Sequence, residues 1–175
     1  MPIPLIFVLV AAATVACGAA SSGGNTTTTP QTALSPTPTA DAQLEIFLTY
    51  IEVVNPNLSL ETEAIDKVRS ACGGSGSNSA YMSNLRKLIA VIQKFDTDLS
   101  GVTVPVCLFP FDNALRAAHS KEAHGASQTI KGINARSQNL VAAGSGELNL
   151  GLGQRIQTLD LLAEAIKAGS SCPQP

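Results

Sequence analysis

Residues 78–99 read NSAYMSNLRKLIAVIQKFDTDL, and this stretch decides the fold class. Its apolar side chains recur three and four residues apart, at Tyr81, Met82, Leu85, Leu88, Ile89, Ile92, Phe95 and Leu99. Spacing of this kind places apolar side chains on one face of an α-helix. The stretch therefore predicts a long helix that turns one face to a core.

The segment before this helix has the same spacing, with an interruption. An apolar stripe begins at Leu44 and reaches Val54, where Asn55-Pro56 follows. A second stripe begins after Ser59 and ends before the glycines that follow Cys72. Because proline removes a backbone hydrogen bond from a helix interior, the two stripes are either one helix kinked at Pro56 or two helices split there.

The segment after residue 106 predicts two further helices. Pro110 suits the first turn of a helix, which we expect to run to Ala143 and to end at Gly144, either as one helix or bent or interrupted by Gly125 and Gly132. The last helix is expected to begin near Ser145 or Glu147 and to stop at Gly169.

Strand signals are nearly absent from residues 41–175, since only Val102 to Val106 alternates and it is short. Four helices joined by short connections predict an all-α, up-down four-helix bundle for this domain, with the first helix possibly split at Pro56.

The first 40 residues differ from the rest, because none of them carries a charged side chain. Residues 2–16 form an apolar run that is shorter than the roughly 20 residues a membrane-spanning helix needs. We expect residues 1–16 to be a signal peptide. Residues 17–40 are rich in Ser, Gly, Thr and Pro and are expected to form a disordered linker, because they contain too little apolar surface to fold.

The end of the apolar run, Thr14-Val15-Ala16-Cys17-Gly18, resembles a bacterial lipobox. The resemblance implies cleavage before Cys17 and its modification by diacylglycerol and by acyl chains such as palmitate, which would anchor the protein to a membrane. The alternative is a plain signal peptide cleaved near Ala20, in which Cys17 is discarded.

The other three cysteines are expected in an oxidising compartment. In an up-down bundle, the start of the third helix lies beside the end of the fourth, which predicts a disulfide between Cys107 and Cys172. A disulfide closing a loop of this length contributes roughly 4 kcal/mol to stability in the chain-entropy model. Cys72 would then be a packed, buried thiol or a free one, and we favour the buried thiol. A Cys72–Cys172 pair would mean that the helix order is wrong.

The two histidines of the chain, His119 and His124, both fall on the third predicted helix and are candidates for a metal site. His119 and Glu122 are three residues apart and are the only candidate ligand pair, whereas His124 is rotated by about 140° from His119 on a straight helix. The di-iron pattern Glu-x-x-His is absent from the chain. We therefore expect solvated or capping histidines and no metal. The acid pairs Glu61/Glu63 and Asp96/Asp98 are assigned to ordinary positions near helix ends.

Composition and motifs exclude other function classes. The net charge of −2 comes without a basic stripe, so nucleic acid is not expected as a partner. The chain has no Gly-x-Ser-x-Gly, no phosphate-binding loop and no Cys-x-x-Cys. The sequence therefore predicts a protein that is not an enzyme and needs no cofactor.

The whole chain resembles small bacterial lipoproteins of unknown function. The likeness lies in the lipobox, the Thr/Pro-rich stalk, the Leu44 to Ile51 stretch, and a later helix with Pro110 at its start and His119 some two turns on. It implies anchoring outside the cytoplasm and a four-helix bundle, and it supplies no catalytic residues.

The function expected from these features is a non-enzymatic helical module, tethered to the bacterial cell membrane or the outer membrane, that binds an envelope protein or another envelope component. The alternative is a bundle that binds a small ligand or a metal.

Overall fold

The structure is a computed structural model that describes residues 40–73 and 77–167. It contains four α-helices: α1 (Ala40–Gly73), α2 (Asn78–Ser100), α3 (Phe109–Asn134) and α4 (Gln138–Lys167). A short 3₁₀ turn, Val106–Leu108, precedes α3, and no strand occurs in these ranges. The predicted all-α four-helix bundle is confirmed. The signal peptide, Cys17, the linker, Cys172 and Gly169 lie outside the described residues.

The sequence predicts α2 most closely. Ser77 caps its start by accepting a hydrogen bond from the backbone N–H of Ala80. Its buried side chains are those that the periodicity indicates: Leu85, Leu88, Ile92, Phe95 and Leu99.

Helix α1 is continuous through Pro56, so the split considered from the sequence does not occur. Proline removes one hydrogen bond from the helix. The side chain of Asn57 compensates nearby, because its Nδ2 donates to the carbonyl of Val53 and to Oδ2 of Asp98 on α2, both at 2.9 Å. The turn of α1 that contains Pro56 is thus hydrogen-bonded to α2.

The predicted boundary between the last two helices is wrong. Helix α3 ends at Asn134, and the chain turns at Arg136, whose φ of 50° is in the left-handed region. Helix α4 begins at Gln138, with Ser137 accepting from the backbone N–H of Leu140. Gly144, the expected helix stop, instead lies buried inside α4.

Gly144 is not a helix end but one of several glycines at a close contact between α3 and α4. A Cβ atom on Gly144 would lie 2.5 Å from the backbone nitrogen of Thr129, and one on Gly132 would lie 2.6 Å from that of Val141. Gly125 and Gly151 face the opposing helix in the same way. Because these residues have no side chain, α3 and α4 pack backbone against backbone.

The other helices are arranged more loosely. Helix α1 packs beside α2, and α2 packs beside α3, but no Cα atom of α1 lies within 8 Å of a Cα atom of α3 or α4. Long side chains fill that space and form two apolar clusters. One includes Tyr50, Phe95, Phe111, Leu115 and Leu162, and the other includes Ile65, Leu88, Ile92, Ala126 and Leu148.

Candidate functional site

A layer of polar side chains separates the two apolar clusters, and each of the four helices contributes to it. Its members are Glu61 from α1, Asp96 from α2, His119 and Glu122 from α3, and Arg155 from α4. Glu61, His119 and Glu122 are fully buried, Arg155 is nearly so, and Asp96 is at the solvent-exposed edge. We call this set the polar layer.

Helical spacing explains why these polar residues are inside. His119 and Glu122 are one turn apart on the buried face of α3, which also carries Leu115 and Ala126. Glu61 continues the buried face of α1 that runs from Val54 to Ala64. The expectation of a solvated or capping His119 is wrong, and so is the assignment of Glu61 to a helix end.

The imidazole of His119 lies between two carboxyl groups. Its Nδ1 is 2.7 Å from Oδ1 of Asp96, and its Nε2 is 3.3 Å from Oε1 of Glu61. The ring also packs on Phe95, with centroids 5.0 Å apart. Burial alone would lower the pKa of His119, but Asp96 and Glu61 stabilise the imidazolium and raise its pKa to about 9. The ring is therefore positively charged at neutral pH.

Glu122 has a different environment, because neither of its carboxyl oxygens has a hydrogen-bond partner among the described residues. Burial and the nearby charge of Glu61 together raise the pKa of Glu122 to about 8, although Arg155 and His119 act in the opposite direction. Glu122 therefore carries a proton at neutral pH, since an unpaired buried carboxylate is costly.

The side chain of Arg155 reaches from α4 to α1 through the buried interior. Its Nη1 lies 3.3 Å from Oε2 of Glu61 and 3.5 Å from Oγ1 of Thr62. With His119 positive and Glu122 neutral, the two cations of the polar layer balance the carboxylates of Glu61 and Asp96. Within the polar layer, His119 and Glu122 are the groups that can bind or release a proton. The ion pairs of the layer link all four helices.

The structure therefore brings the candidate pair His119 and Glu122 together, and it adds Glu61, which the sequence analysis did not select. Within residues 40–73 and 77–167, no group of three or more His, Cys, Asp or Glu side chains is arranged to hold a metal ion. The positive charge of Arg155 beside Glu61 also opposes a bound cation. His124 is apart from the layer, exposed, with its Nδ1 2.7 Å from Oε2 of Glu147.

The cysteines correct one prediction and leave another open. Cys72 is exposed and its thiol is free, so the expected buried thiol is wrong. Cys107 lies half-buried in the 3₁₀ turn before α3. Its pairing with Cys172 stays a prediction, because Cys172 is outside the described residues.

A second feature lies on the outer side of α4. Leu150 is 65 % exposed and Ile156 is 58 % exposed, the two highest values among the large apolar side chains of the described residues. Gly146 and Gly153 lie on the same side, with open space where a Cβ atom would be. We call the side defined by these four residues the outer face of α4. Helix α4 thus exposes two large apolar side chains to solvent, beside the exposed polar side chains of Asn149 and Gln157.

Charges are sparse on this part of α4. Between Gln138 and Gln157 the only charged residues are Glu147, which pairs with His124, and Arg155, which is buried in the polar layer.

No family model matches the chain, and no curated protein or solved structure matches it either. The likeness to small bacterial lipoproteins therefore stays a prediction. None of the described helices is both long and apolar enough to span a membrane.

Proposed function

We propose that this chain is a lipoprotein of the bacterial cell envelope, held outside the cytoplasm by an acylated Cys17, and that its bundle is a non-enzymatic module that binds another protein. The exposure of Leu150 and Ile156 on the outer face of α4 carries this proposal. Large apolar side chains that remain exposed on a folded domain are typical of protein-binding surfaces.

The chemistry of the bundle favours binding over catalysis. The polar layer is enclosed and charge-balanced, and the sequence offers no nucleophile with a matching base. The proposed protein therefore needs no cofactor. The sparse charge on α4 favours a protein surface over nucleic acid as the partner, because nucleic acid is bound by clustered Lys and Arg.

The anchor can be tested by mass spectrometry of the N-terminal peptide from protein purified from membranes. The expected peptide begins at Cys17 and carries a diacylglycerol thioether. A peptide that retains Met1, or an unmodified Cys17, contradicts the anchored lipoprotein.

The binding surface can be tested with a photo-crosslinking amino acid placed at Ile156 in the full chain in its native membrane. We expect a reproducible protein adduct at this position and none at Gln93, an exposed position on α2. Adding Leu150→Glu should abolish the adduct at Ile156. Equal labelling at the two positions, or no adduct at Ile156, contradicts a binding role for this face.

Binding of a metal ion or small ligand at the polar layer is a second candidate function. One observation favours it: neither carboxyl oxygen of Glu122 has a hydrogen-bond partner among the described residues. Elemental analysis and melting of the full chain with and without added Zn²⁺ test this candidate. A protein that contains no metal and whose melting temperature Zn²⁺ does not change contradicts a metal site.

A further inference from the structure

The carboxyl groups of Glu61 and Glu122 meet inside the polar layer. Both side chains are fully buried, and the carboxyl group of Glu122 lies within hydrogen-bonding reach of Glu61. Within the described helices, Oε1 of Glu61 and both carboxyl oxygens of Glu122 have no hydrogen bond, although Oε1 of Glu61 lies 3.3 Å from Nε2 of His119. Ionised carboxylates only accept hydrogen bonds, so one of the two acids needs a proton before they can bond to each other.

The neighbouring charges determine which of the two acids carries that proton. His119 and Arg155 both approach Glu61, which is therefore the ionised partner. Glu122 faces the same two cations, but both are already paired with Glu61, and His119 is paired with Asp96 of α2 as well. If Glu122 were also ionised, the layer would hold three carboxylates against two cations. That excess negative charge would be buried where water cannot solvate it.

The helix contacts determine which side of the acid pair can move. A Cβ atom on Gly151 would lie 2.6 Å from Cγ of Glu122, so the backbone of α4 lies directly against the Glu122 side chain. Glu122 therefore has no room to move towards α4. Glu61 belongs to α1, which meets α3 and α4 only through side chains, since no Cα atom of α1 lies within 8 Å of a Cα atom of either helix. Repulsion between the two acids would therefore displace α1 and leave the contact between α3 and α4 intact.

We propose that Glu61 and Glu122 form a latch that depends on a single proton. With the proton in place, Glu122 donates a hydrogen bond to Oε1 of Glu61 and holds α1 to α3. Without the proton, the two carboxylates repel each other, and α1 detaches locally from α3 and α4 while those two helices stay paired. The latch is independent of the outer face of α4 and of the membrane anchor.

The latch responds to pH between 4.5 and about 8. In the opened state Glu122 is in contact with water and has its ordinary pKa of 4.5, whereas in the closed bundle its pKa is about 8. Because closure raises the pKa, the proton favours the closed state fully below pH 4.5, and this advantage falls as the pH rises to about 8. Each pH unit in this interval makes the opening of α1 about tenfold easier.

Hydrogen–deuterium exchange of the full chain at pH 5 and pH 8 tests the latch. A helix released from its packing is marginal in water, so opening allows the backbone amides of α1 to exchange. Glu122→Gln places a neutral amide beside Glu61 that can donate a hydrogen bond at any pH. Comparing the proteins at the same pH cancels the pH dependence of the exchange chemistry and the titration of His119. Glu63→Gln is the matched control, because Glu63 is on the same helix and forms only an exposed ion pair with Lys67.

Between pH 5 and pH 8, the exchange rate in residues 58–68 of α1 should rise at least about tenfold more in the wild type than in Glu122→Gln. Glu63→Gln should behave as the wild type does. An equal rise in the wild type and Glu122→Gln overturns the latch. If circular dichroism shows that Glu122→Gln does not fold, Glu122→Met, which has a similar volume and no titratable group, takes its place with the same expected result.

Low concentrations of urea separate local release from global unfolding, because urea promotes an opening in proportion to the surface that the opening exposes. At pH 8 the amides of α1 should exchange faster than the slowest amides of α3 and α4 and should respond less to urea. A common rate and a common urea dependence in α1, α3 and α4 would show that only the whole bundle opens, which also overturns the latch.

Discussion

The Nε2 atom of His119 lies 3.3 Å from Oε1 of Glu61, and neither side chain is exposed to solvent. Arg155 approaches the other carboxyl oxygen of Glu61 at the same distance. Glu61 is therefore the anion that two buried cations share. Removing it would leave both cations without that partner in a medium that solvates charge poorly.

Glu61→Ala should therefore lower the free energy of unfolding by about 3–5 kcal/mol, the range found when one partner of a buried ion pair is removed. Urea denaturation of the two proteins measures the difference. Glu63→Ala is the control, because Glu63 is two residues away on the same helix and forms only an exposed ion pair with Lys67. Equal urea midpoints for the two variants would show that the polar layer does not stabilise the bundle.

The raised pKa values of Glu122 and His119 make stability depend on pH. A group whose pKa is raised by folding holds its proton more tightly in the native protein than in the unfolded chain. The contribution of each group to the stability of the bundle is complete below its ordinary pKa, which is 4.5 for Glu122 and 6.5 for His119. It is lost as the pH rises through the folded values, about 8 and about 9. The bundle should therefore be more stable at pH 5 than at pH 9.

Thermal melting between pH 5 and pH 9 measures this dependence. The range also excludes the acid region, in which Glu63 and Asp98, whose pKa values are lowered, lose their charge. The Glu122→Gln variant has no carboxyl proton to release at this position, so its melting temperature should change less with pH than that of the wild type. The pH dependence that remains is the part caused by His119. A melting temperature that rises with pH in the wild type would reverse the sign and contradict the assigned proton on Glu122.

The contact between α3 and α4 predicts opposite effects for two glycines that are two residues apart. Gly144→Ala would force a methyl group against the backbone of Thr129 and should destabilise the protein by more than about 2 kcal/mol. Gly146→Ala meets open space and should stabilise α4 by about 0.5–1 kcal/mol, because alanine is the better helix former. If both substitutions shift the urea midpoint in the same direction, the assigned packing of α4 is wrong.

Tyr50 provides a separate link between α1 and α3. Its hydroxyl donates to Oδ1 of Asp112 at 2.8 Å, while Oδ2 of Asp112 accepts from Nε of Arg116. Burial and the adjacent carboxylate both raise the pKa of Tyr50, so the hydroxyl keeps its proton. Tyr50→Phe should cost about 1–3 kcal/mol, because Asp112 loses a donor in a buried site. An unchanged urea midpoint would mean that this hydrogen bond contributes nothing to stability.

The helices with a regular apolar stripe were predictable, as α2 illustrates. The polar layer is not evident from the sequence, because the periodicity that indicates a buried helix face is defined by apolar residues. Had Glu61, His119 and Glu122 been placed on the same helical positions as their neighbours, each would have fallen on the buried face. The partners that allow this burial come from other helices, and no spacing along one helix reveals them.

The boundary between α3 and α4 was missed for a different reason. Glycine is expected both at helix ends and at close helix contacts, and the sequence alone favoured the first interpretation for Gly144. The signal for the true turn was Ser137, a residue suited to capping the start of α4. Of the two possibilities at Pro56, a continuous helix or a split, the structure has the continuous helix, because the side chain of the adjacent Asn57 and packing against α2 hold α1 together.

The backbone contact between α3 and α4 restricts four positions of the sequence to glycine, whereas other buried positions accept exchanges. Gly125 and Gly132 are seven residues apart, as are Gly144 and Gly151, and no larger residue fits at any of the four without moving a helix. Apolar core positions accept exchanges among Leu, Ile, Val and Met, so overall similarity between descendants of one ancestor fades. The distance between α3 and α4 is therefore set by these four glycines and not by the particular choice of apolar core side chains.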